Sequence, residues 1–275
     1  MTGGTTGPEP SDLAELAARL AREAGHLLIE AGRHSHDRAA LADSASRKSS
    51  ATDLATEADR ASERLIVGGI SRARPDDAVL GEEGGEHAGS SGLTWIIDPI
   101  DGTTNFVYGF GSWAVSIGVA DEAGPLAGAV YDPLRDEMFT AARGCAARLG
   151  DRVLGPLAAP PLAESLVGTG FSYAEENRRG QARLLPVVLP RVRDIRRAGA
   201  ASLDLCYVAA GRLNAFYEAG LHPWDRAAGL LVATEAGADY RDVDGLDPGR
   251  STLVVAPPGL LDELLALLVE AAARP

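Results

Sequence analysis

The chain has 275 residues, 45% hydrophobic and 24% charged, the profile of an ordinary soluble globular protein with a substantial core. Its formal net charge of -13, with a pI near 4.8, argues against non-specific binding to nucleic acid or an anionic membrane surface. Anionic substrates stay open, because a bound metal ion reverses the local sign. No run approaches the roughly 18 apolar residues of a membrane span. The start, "MTGGTTGPEP", lacks the basic and apolar regions of a signal peptide and reads as a floppy tail over residues 1–10.

From Ser11 to about Ile29, leucines and alanines at helical spacing predict an amphipathic helix behind a Ser-Asp start. "HSHDRAALADSASRKSSA" is polar and reads as loop with a strand near its end. "TDLATEADRASERLIVGGI" returns to helical period, with Leu54, Ala58, Ala61, Leu65 and Ile66 on one face. A Pro-Asp-Asp turn at 75–77 precedes "AVLGEEGGE", a short strand breaking into a glycine-rich loop. A strand at Trp95–Ile97 follows, then "SWAVSIGVAD" and "GPLAGAVYDP" as antiparallel strands joined by a Gly-Pro turn, and one more strand in "DEMFTAARGCAARLG".

The Pro-rich stretch 155–161 marks a boundary between an α+β lobe over residues 11–155 and an α/β lobe over 156–275. Beyond it the order is strand "SLVGTGF", helix from about Gly180 to Val192, short strand "DIRRAG", helix 201–210, strand "AFYEAG", helix 225–236 and a closing helix 258–273. The fold class is therefore mixed α/β. Cys145 and Cys206 cannot build a disulfide framework and read as buried free thiols in a reducing cytoplasm. His26, His34, His36, His87 and His222 share no ligand spacing. Seven arginines between Arg178 and Arg197 form a solvated face, a subunit contact or a means of drawing phosphates to a cleft.

One segment resists a purely structural reading. In "WIIDPIDGTTNF" a buried-looking strand runs into Asp98 and Asp101, and no Lys or Arg lies within ten residues on either side. A carboxylate at the end of a buried strand is costly unless paired or bound to metal. Asp101-Gly102 as a turn capped by Asp98 is the structural alternative. The functional one is a hard-cation site, since Mg²⁺ takes one or two carboxylates plus waters and phosphate oxygens. Pro99 and Gly102 allow an unusual turn in which both acids converge. A helix starting after Gly102 turns its free amides, and the hydroxyls of Thr103 and Thr104, toward a bound anion. "LGEEGG" places Glu82 and Glu83 at another strand end. "HPWDRAAGLLVATEAGA" places Asp225 in the first turn of an apolar helix, where it also suits the helix dipole.

"GEE", "WIIDPIDGTTNF" and "HPWDRAAGLLVATEAGA", in this order and spacing, resemble the inositol monophosphatase family of Mg²⁺-dependent, lithium-sensitive sugar phosphatases, over about residues 12–270. "KSSATDLATEAD" is similar to the family's lysine-containing stretch before Thr-x-x-Asp. "RRAGAASLDLCYVAAGRLNAFYEAG" is similar to its substrate loop and a strand ending in Tyr-Glu. The resemblance implies a layered αβαβα sandwich, a homodimer and two or three Mg²⁺ per active site. It implies one metal on Glu82, Asp98 and the Ile100 carbonyl, a second on Asp98, Asp101 and Asp225, and a weaker third on Glu82 through waters. Thr103 and Glu82 then orient the attacking water, and the amides of Gly102 and Thr103 hold phosphate oxygens.

Further positions carry over from the same likeness. Lys48, the sole lysine, matches a lysine beside the metal cluster, and Asp59 the aspartate supporting the third metal's waters; Glu83 accompanies Glu82. Glu218 and the backbone around Gly199 and Ala200 match contacts to substrate hydroxyls. The family usually has Thr between the loop's Gly and Ala; the run here is Gly199-Ala200-Ala201. The activity implied is hydrolysis of a small phosphorylated polyol or sugar, inositol 1-phosphate first. Histidinol phosphate, fructose bisphosphate and a 3′-phosphonucleotide are alternatives within the same chemistry. A regulatory or binding protein that keeps the fold is an alternative of another class.

Overall fold

Helix α1 (Pro10–His34) carries Asp12 in its first turn and buries Leu13, Leu16, Ala17, Leu20, Ala21, Ala24 and Leu28. That stripe is the amphipathic spacing the sequence shows, and the helix runs past the predicted end near Ile29. The protein, seen in a computed structural model, is described over residues 8–34, 46–47, 54–55, 57–247 and 249–274. Lys48, His36 and residues 1–7 of the expected tail lie outside the described residues.

The second predicted helix is corrected in two ways. Leu54 is not helical: β2 (Leu54–Ala55) pairs antiparallel with β1 (Ser46–Arg47). Helix α2 (Glu57–Ala73) buries Asp59, Ser62, Glu63, Ile66, Gly69 and Ile70, while Ala58 and Leu65 are only partly covered. Its inward stripe is polar at one end because that end meets backbone amides and carbonyls, which need hydrogen-bonding partners when buried.

Strands β3 (Ala78–Gly81), β4 (Gly85–His87), β5 (Thr94–Asp101), β6 (Ala114–Asp121), β7 (Gly124–Asp132), β8 (Glu137–Ala142), β9 (Arg148–Leu149) and β10 (Arg152–Val153) form one sheet, ordered β10-β9-β8-β7-β6-β5-β3-β4. In this sheet, among the described residues, only β3 and β5 pair in parallel. The turn between β6 and β7 is Glu122-Ala123, with the Ala123 amide donating to Asp121 Oδ1 at 2.8 Å. Gly124-Pro125 opens β7 and does not form the turn as expected.

An irregular connection over residues 154–161 leads to a second sheet, ordered β12-β11-β13-β15-β14. It comprises β11 (Leu166–Thr169), β12 (Asp194–Arg196), β13 (Ala215–Ala219), β14 (Asp239–Asp247) and β15 (Arg250–Ala256). The helix expected from Gly180 begins earlier and is broken into α4 (Glu175–Ala182), α5 (Leu185–Val188) and a 3₁₀ turn, Leu189–Arg191. Pro186 and Pro190 remove the amide donors a continuous helix needs.

Helices α6 (Ala201–Ala209) and α7 (Pro223–Glu235) lie between the two sheets, and α8 (Pro258–Ala272) covers the outer face of the second. Four apolar clusters fill the gaps between layers: α1 and α2 on the first sheet, that sheet on α6 and α7, those helices on the second sheet, and the second sheet on α5 and α8. The order is α-β-α-β-α, as expected. Helix α7 seats closely because the first sheet offers it glycines. A Cβ added at Gly118 would stand 2.8 Å from Ala227 Cβ, and one at Gly128 2.9 Å from Ala228 Cα. Among the described residues no helix is long and apolar enough to cross a membrane.

Candidate active site

The two aspartates of β5 are brought together by an irregularity in strand pairing. In a regular strand, residues three apart face opposite sides of the sheet. Asp98 pairs with Ser116 and Asp101 with Ala114, so three steps along β5 match two along β6. This β-bulge supplies the extra residue that re-aims one side chain. Its loose backbone groups are satisfied locally: the Ile100 amide donates to Asp98 Oδ1 at 3.0 Å, and Ser62 Oγ of α2 donates to the Pro99 carbonyl at 3.2 Å. Asp98 and Asp101 are both buried.

Asp101 is tied to the middle helix layer. Its carboxylate accepts the amides of Ala201 and Ser202, at 3.2 and 2.7 Å, and the Ser202 hydroxyl at 2.5 Å. Gly102 follows with φ 89°, and a Cβ there would stand 2.9 Å from the Ser112 carbonyl and 3.1 Å from that of Gly199. Only glycine suits such a position. Helix α3 (Thr103–Tyr108) starts at once, and Thr103 Oγ1 lies 3.0 Å from the Ile100 carbonyl and 3.4 Å from Asp59 Oδ2. Asn105 of α3 reaches across to the next loop, Nδ2 donating to the carbonyls of Ser112 and Ala198 at 2.6 and 2.8 Å.

A cleft of about 550 Å³ opens over this point, its floor lined by Glu82, Asp98, Ile100, Asp101, Gly102 and Thr103. Asp225, Gly199 and Glu218 reach the same cleft from α7, the loop before α6 and the end of β13. Asp225 is the third residue of α7 and accepts the His222 amide at 2.6 Å in a capping box, so its helix-terminal role and its place in the cleft coexist. Of the remaining expected residues, Thr104 contacts Tyr173 (hydroxyl to hydroxyl, 3.3 Å), and Ala200 is buried in the core. Neither lines the cleft. Asp59 and Glu83 are likewise not among its lining residues.

Sequence reasoning missed Ser202, Tyr173, Asn177 and Arg250. Ser202 carried a signal, a hydroxyl in the first turn of a helix just after the loop; the other three carried none. Of the seven arginines, Arg179, Arg191 and Arg196 are ion-paired at the surface, whereas Arg197 faces the cleft. Cys145 is exposed and Cys206 buried, so the expected burial holds for one thiol only. The rim position of Cys145, in the turn after β8, leaves it no cover.

Residues 9–274 match the model of the inositol monophosphatase family. The chain belongs to this family. The inositol-1-monophosphatase SuhB of Mycobacterium tuberculosis is 46% identical over 275 residues, with 94% of each chain covered. The Nus factor SuhB of Pseudomonas aeruginosa is 41% identical over 239 residues, covering 85% of this chain and 86% of that one. Among solved structures, Mycobacterium tuberculosis SuhB superposes with a TM-score of 0.79 at 41% identity, covering 96% of this chain and 98% of that one.

The cleft of this family member suits a hard cation. Burial raises the proton affinity of Asp98 well above the usual carboxylate range, with Glu82, Asp101, Asp225 and Asp59 adding repulsion. Burial also lifts Asp101 to about 6, against the hydrogen bonds from Ser202 and Ala201. Asp225 is raised by burial and then by Asp101, opposed by the His222 amide. Among the described residues no three His, Cys, Asp or Glu side chains form a compact ligand cage as they stand. Asp98, Asp101 and Asp225 instead each rest on a backbone amide. Carboxylate oxygens are hard donors of the kind Mg²⁺ takes, and a cation among them would offset their mutual repulsion.

A pH dependence follows. Asp101 near 6 and Glu218 near 7, the latter raised chiefly by burial, hold protons in the folded protein that the unfolded chain releases near 4. The stability these two groups contribute to chelator-treated protein is fully present below about pH 4 and is lost as pH rises through their folded values. Between pH 5.5 and 7.5 the expected loss is roughly 2 kcal/mol in urea unfolding, and saturating Mg²⁺ removes the share that belongs to Asp101.

Proposed function

We propose that this protein is a Mg²⁺-dependent phosphate monoester hydrolase whose leading substrate is inositol 1-phosphate, split to inositol and phosphate by direct attack of water. The observation that carries the reading is the convergence of Glu82, Asp98, Asp101 and Asp225, from three separate segments, on one cleft floored by the Gly102–Thr103 turn. Glu82, Asp98, Asp101, Asp225 and the Ile100 carbonyl would hold two metal ions, with a third weakly bound through waters on Glu82. When bound, Mg²⁺ supplies the charge that neutralises the phosphoryl oxygens and the acidity that makes water a nucleophile near neutral pH.

The chain's own groups do the rest. The Thr103 hydroxyl, close to Asp59 and the Ile100 carbonyl, orients the attacking water, and Glu82 accepts its proton. The amides of Gly102 and Thr103 hold phosphate oxygens at the start of α3. Glu218 and the backbone at Gly199 receive the hydroxyls of the leaving alcohol. Positioning and charge neutralisation supply most of the acceleration, and no covalent phosphoenzyme is needed. The protein works as a cytoplasmic homodimer, and lithium competes for the metal site.

Purified protein is to be assayed with and without Mg²⁺ on inositol 1-phosphate, histidinol phosphate, fructose 1,6-bisphosphate and 3′-phosphoadenosine 5′-phosphate. Metal-dependent turnover with inositol 1-phosphate preferred is the expected result. A tenfold or greater preference for histidinol phosphate replaces the substrate and keeps the chemistry. A second reading, a regulatory protein on the same fold, draws on relatives named Nus factor. Asp101→Asn separates the two: it abolishes turnover, and if it still rescues a deletion strain the regulatory role prevails.

A further inference from the structure

Helix α2 carries a glutamate where its amphipathic pattern calls for an apolar side chain. Glu63 is 5% exposed. Its Oε2 accepts the backbone amide of Glu83 at 2.9 Å, and the Gly84 amide hydrogen-bonds to the same carboxylate. Two glycines make room for it. A Cβ at Gly81 would stand 2.6 Å from Glu63 Oε2, and one at Gly84 2.2 Å from Oε1. The carboxylate thus fills the space left by two missing side chains and takes up the amides of the β3–β4 turn. The first residue of that turn is Glu82, which lines the cleft. The bond to the Glu83 amide is partly buried and its acceptor Glu63 is buried, so the turn is held by a partner from another element.

We propose that Glu63 is a positioning residue: it clamps the 82–84 turn and thereby aims Glu82 at the metal and water it serves in the function proposed above, on which this inference rests. The clamp works through backbone amides, so it fixes the path of the chain at Glu82 without touching substrate. Replacement by a side chain of like volume but no acceptor frees the turn. Glutamine keeps one acceptor oxygen and sets its amide group against the second donor, so it holds the turn in part.

The test compares wild type, Glu63→Leu and Glu63→Gln. Calorimetric titration with Mg²⁺ alone is expected to show affinity at least tenfold weaker for Glu63→Leu and largely restored for Glu63→Gln. Steady-state kinetics should show kcat reduced while KM for the phosphate ester stays within about threefold. Hydrogen exchange at the Glu83 and Gly84 amides should quicken at least tenfold in Glu63→Leu. Wild-type exchange and wild-type Mg²⁺ affinity in Glu63→Leu overturn the proposal. So does equal loss in both variants that merely tracks their loss of thermal stability. If the wild type itself neither binds Mg²⁺ nor hydrolyses any ester, the phosphatase reading fails, while the exchange result still decides whether Glu63 clamps the turn.

Discussion

Asp98→Asn is expected to lower kcat/KM for inositol 1-phosphate by about 10³-fold and, in the same preparation, to raise the thermal midpoint of chelator-treated protein at pH 8. The two effects have one cause. Asp98 is buried among Glu82, Asp101, Asp225 and Asp59, each of which disfavours its charge. Asparagine retains an oxygen for the Ile100 amide, which Asp98 Oδ1 now accepts at 3.0 Å. What it loses is the negative charge that would bind a cation in the proposed function and that its neighbours disfavour. Activity assays and calorimetry in EDTA measure the pair. A midpoint that falls together with activity would mean that Asp98 is a structural acid and that the repulsion is relieved by other means.

The second large effect is on stability. Gly128→Val is expected to cost about 3 kcal/mol in urea unfolding, at the upper end for overpacking, because the new atoms meet main chain and not a movable side chain. A Cβ alone would stand 2.9 Å from Ala228 Cα and 3.0 Å from Ala228 Cβ. Helix α7 must move away from the sheet, and it carries Asp225 into the cleft. Reduced Mg²⁺ affinity in the fraction that remains folded is therefore expected too. An equivalent valine at Gly124, where nothing lies within 4 Å of an added Cβ but φ is 111°, controls for backbone strain without touching α7.

Much of the cleft was legible because its residues violate local expectation: a strand that ends on acids without basic neighbours, and an apolar helix that opens on one. The pairing irregularity that turns Asp98 and Asp101 the same way was not legible, since it belongs to the register between β5 and β6 and to neither strand alone. Helix α2 was misread for a related reason. Amphipathic pattern assigns the apolar face inward, yet Asp59, Ser62 and Glu63 turn inward here to serve Thr103, Pro99 and Glu83. Strand β14, with the sequence DYRDVDGLD, escaped notice because it is a charged edge strand, and β15 went unread beside it. The rest of the cleft wall, Tyr173, Asn177 and Arg250, comes from segments with no motif at all.

Asp101 grips the first turn of α6, so the carboxylate at the end of the first sheet is also the anchor of a helix that packs beneath the second. On the proposed function, chemistry and assembly would share a fastener. A newly made chain that has emerged only as far as residue 200 lacks both the clasp and Asp225, and on the proposed function is expected to be inert however well its first sheet has formed. Loss of turnover during denaturation should for the same reason coincide with global unfolding instead of preceding it.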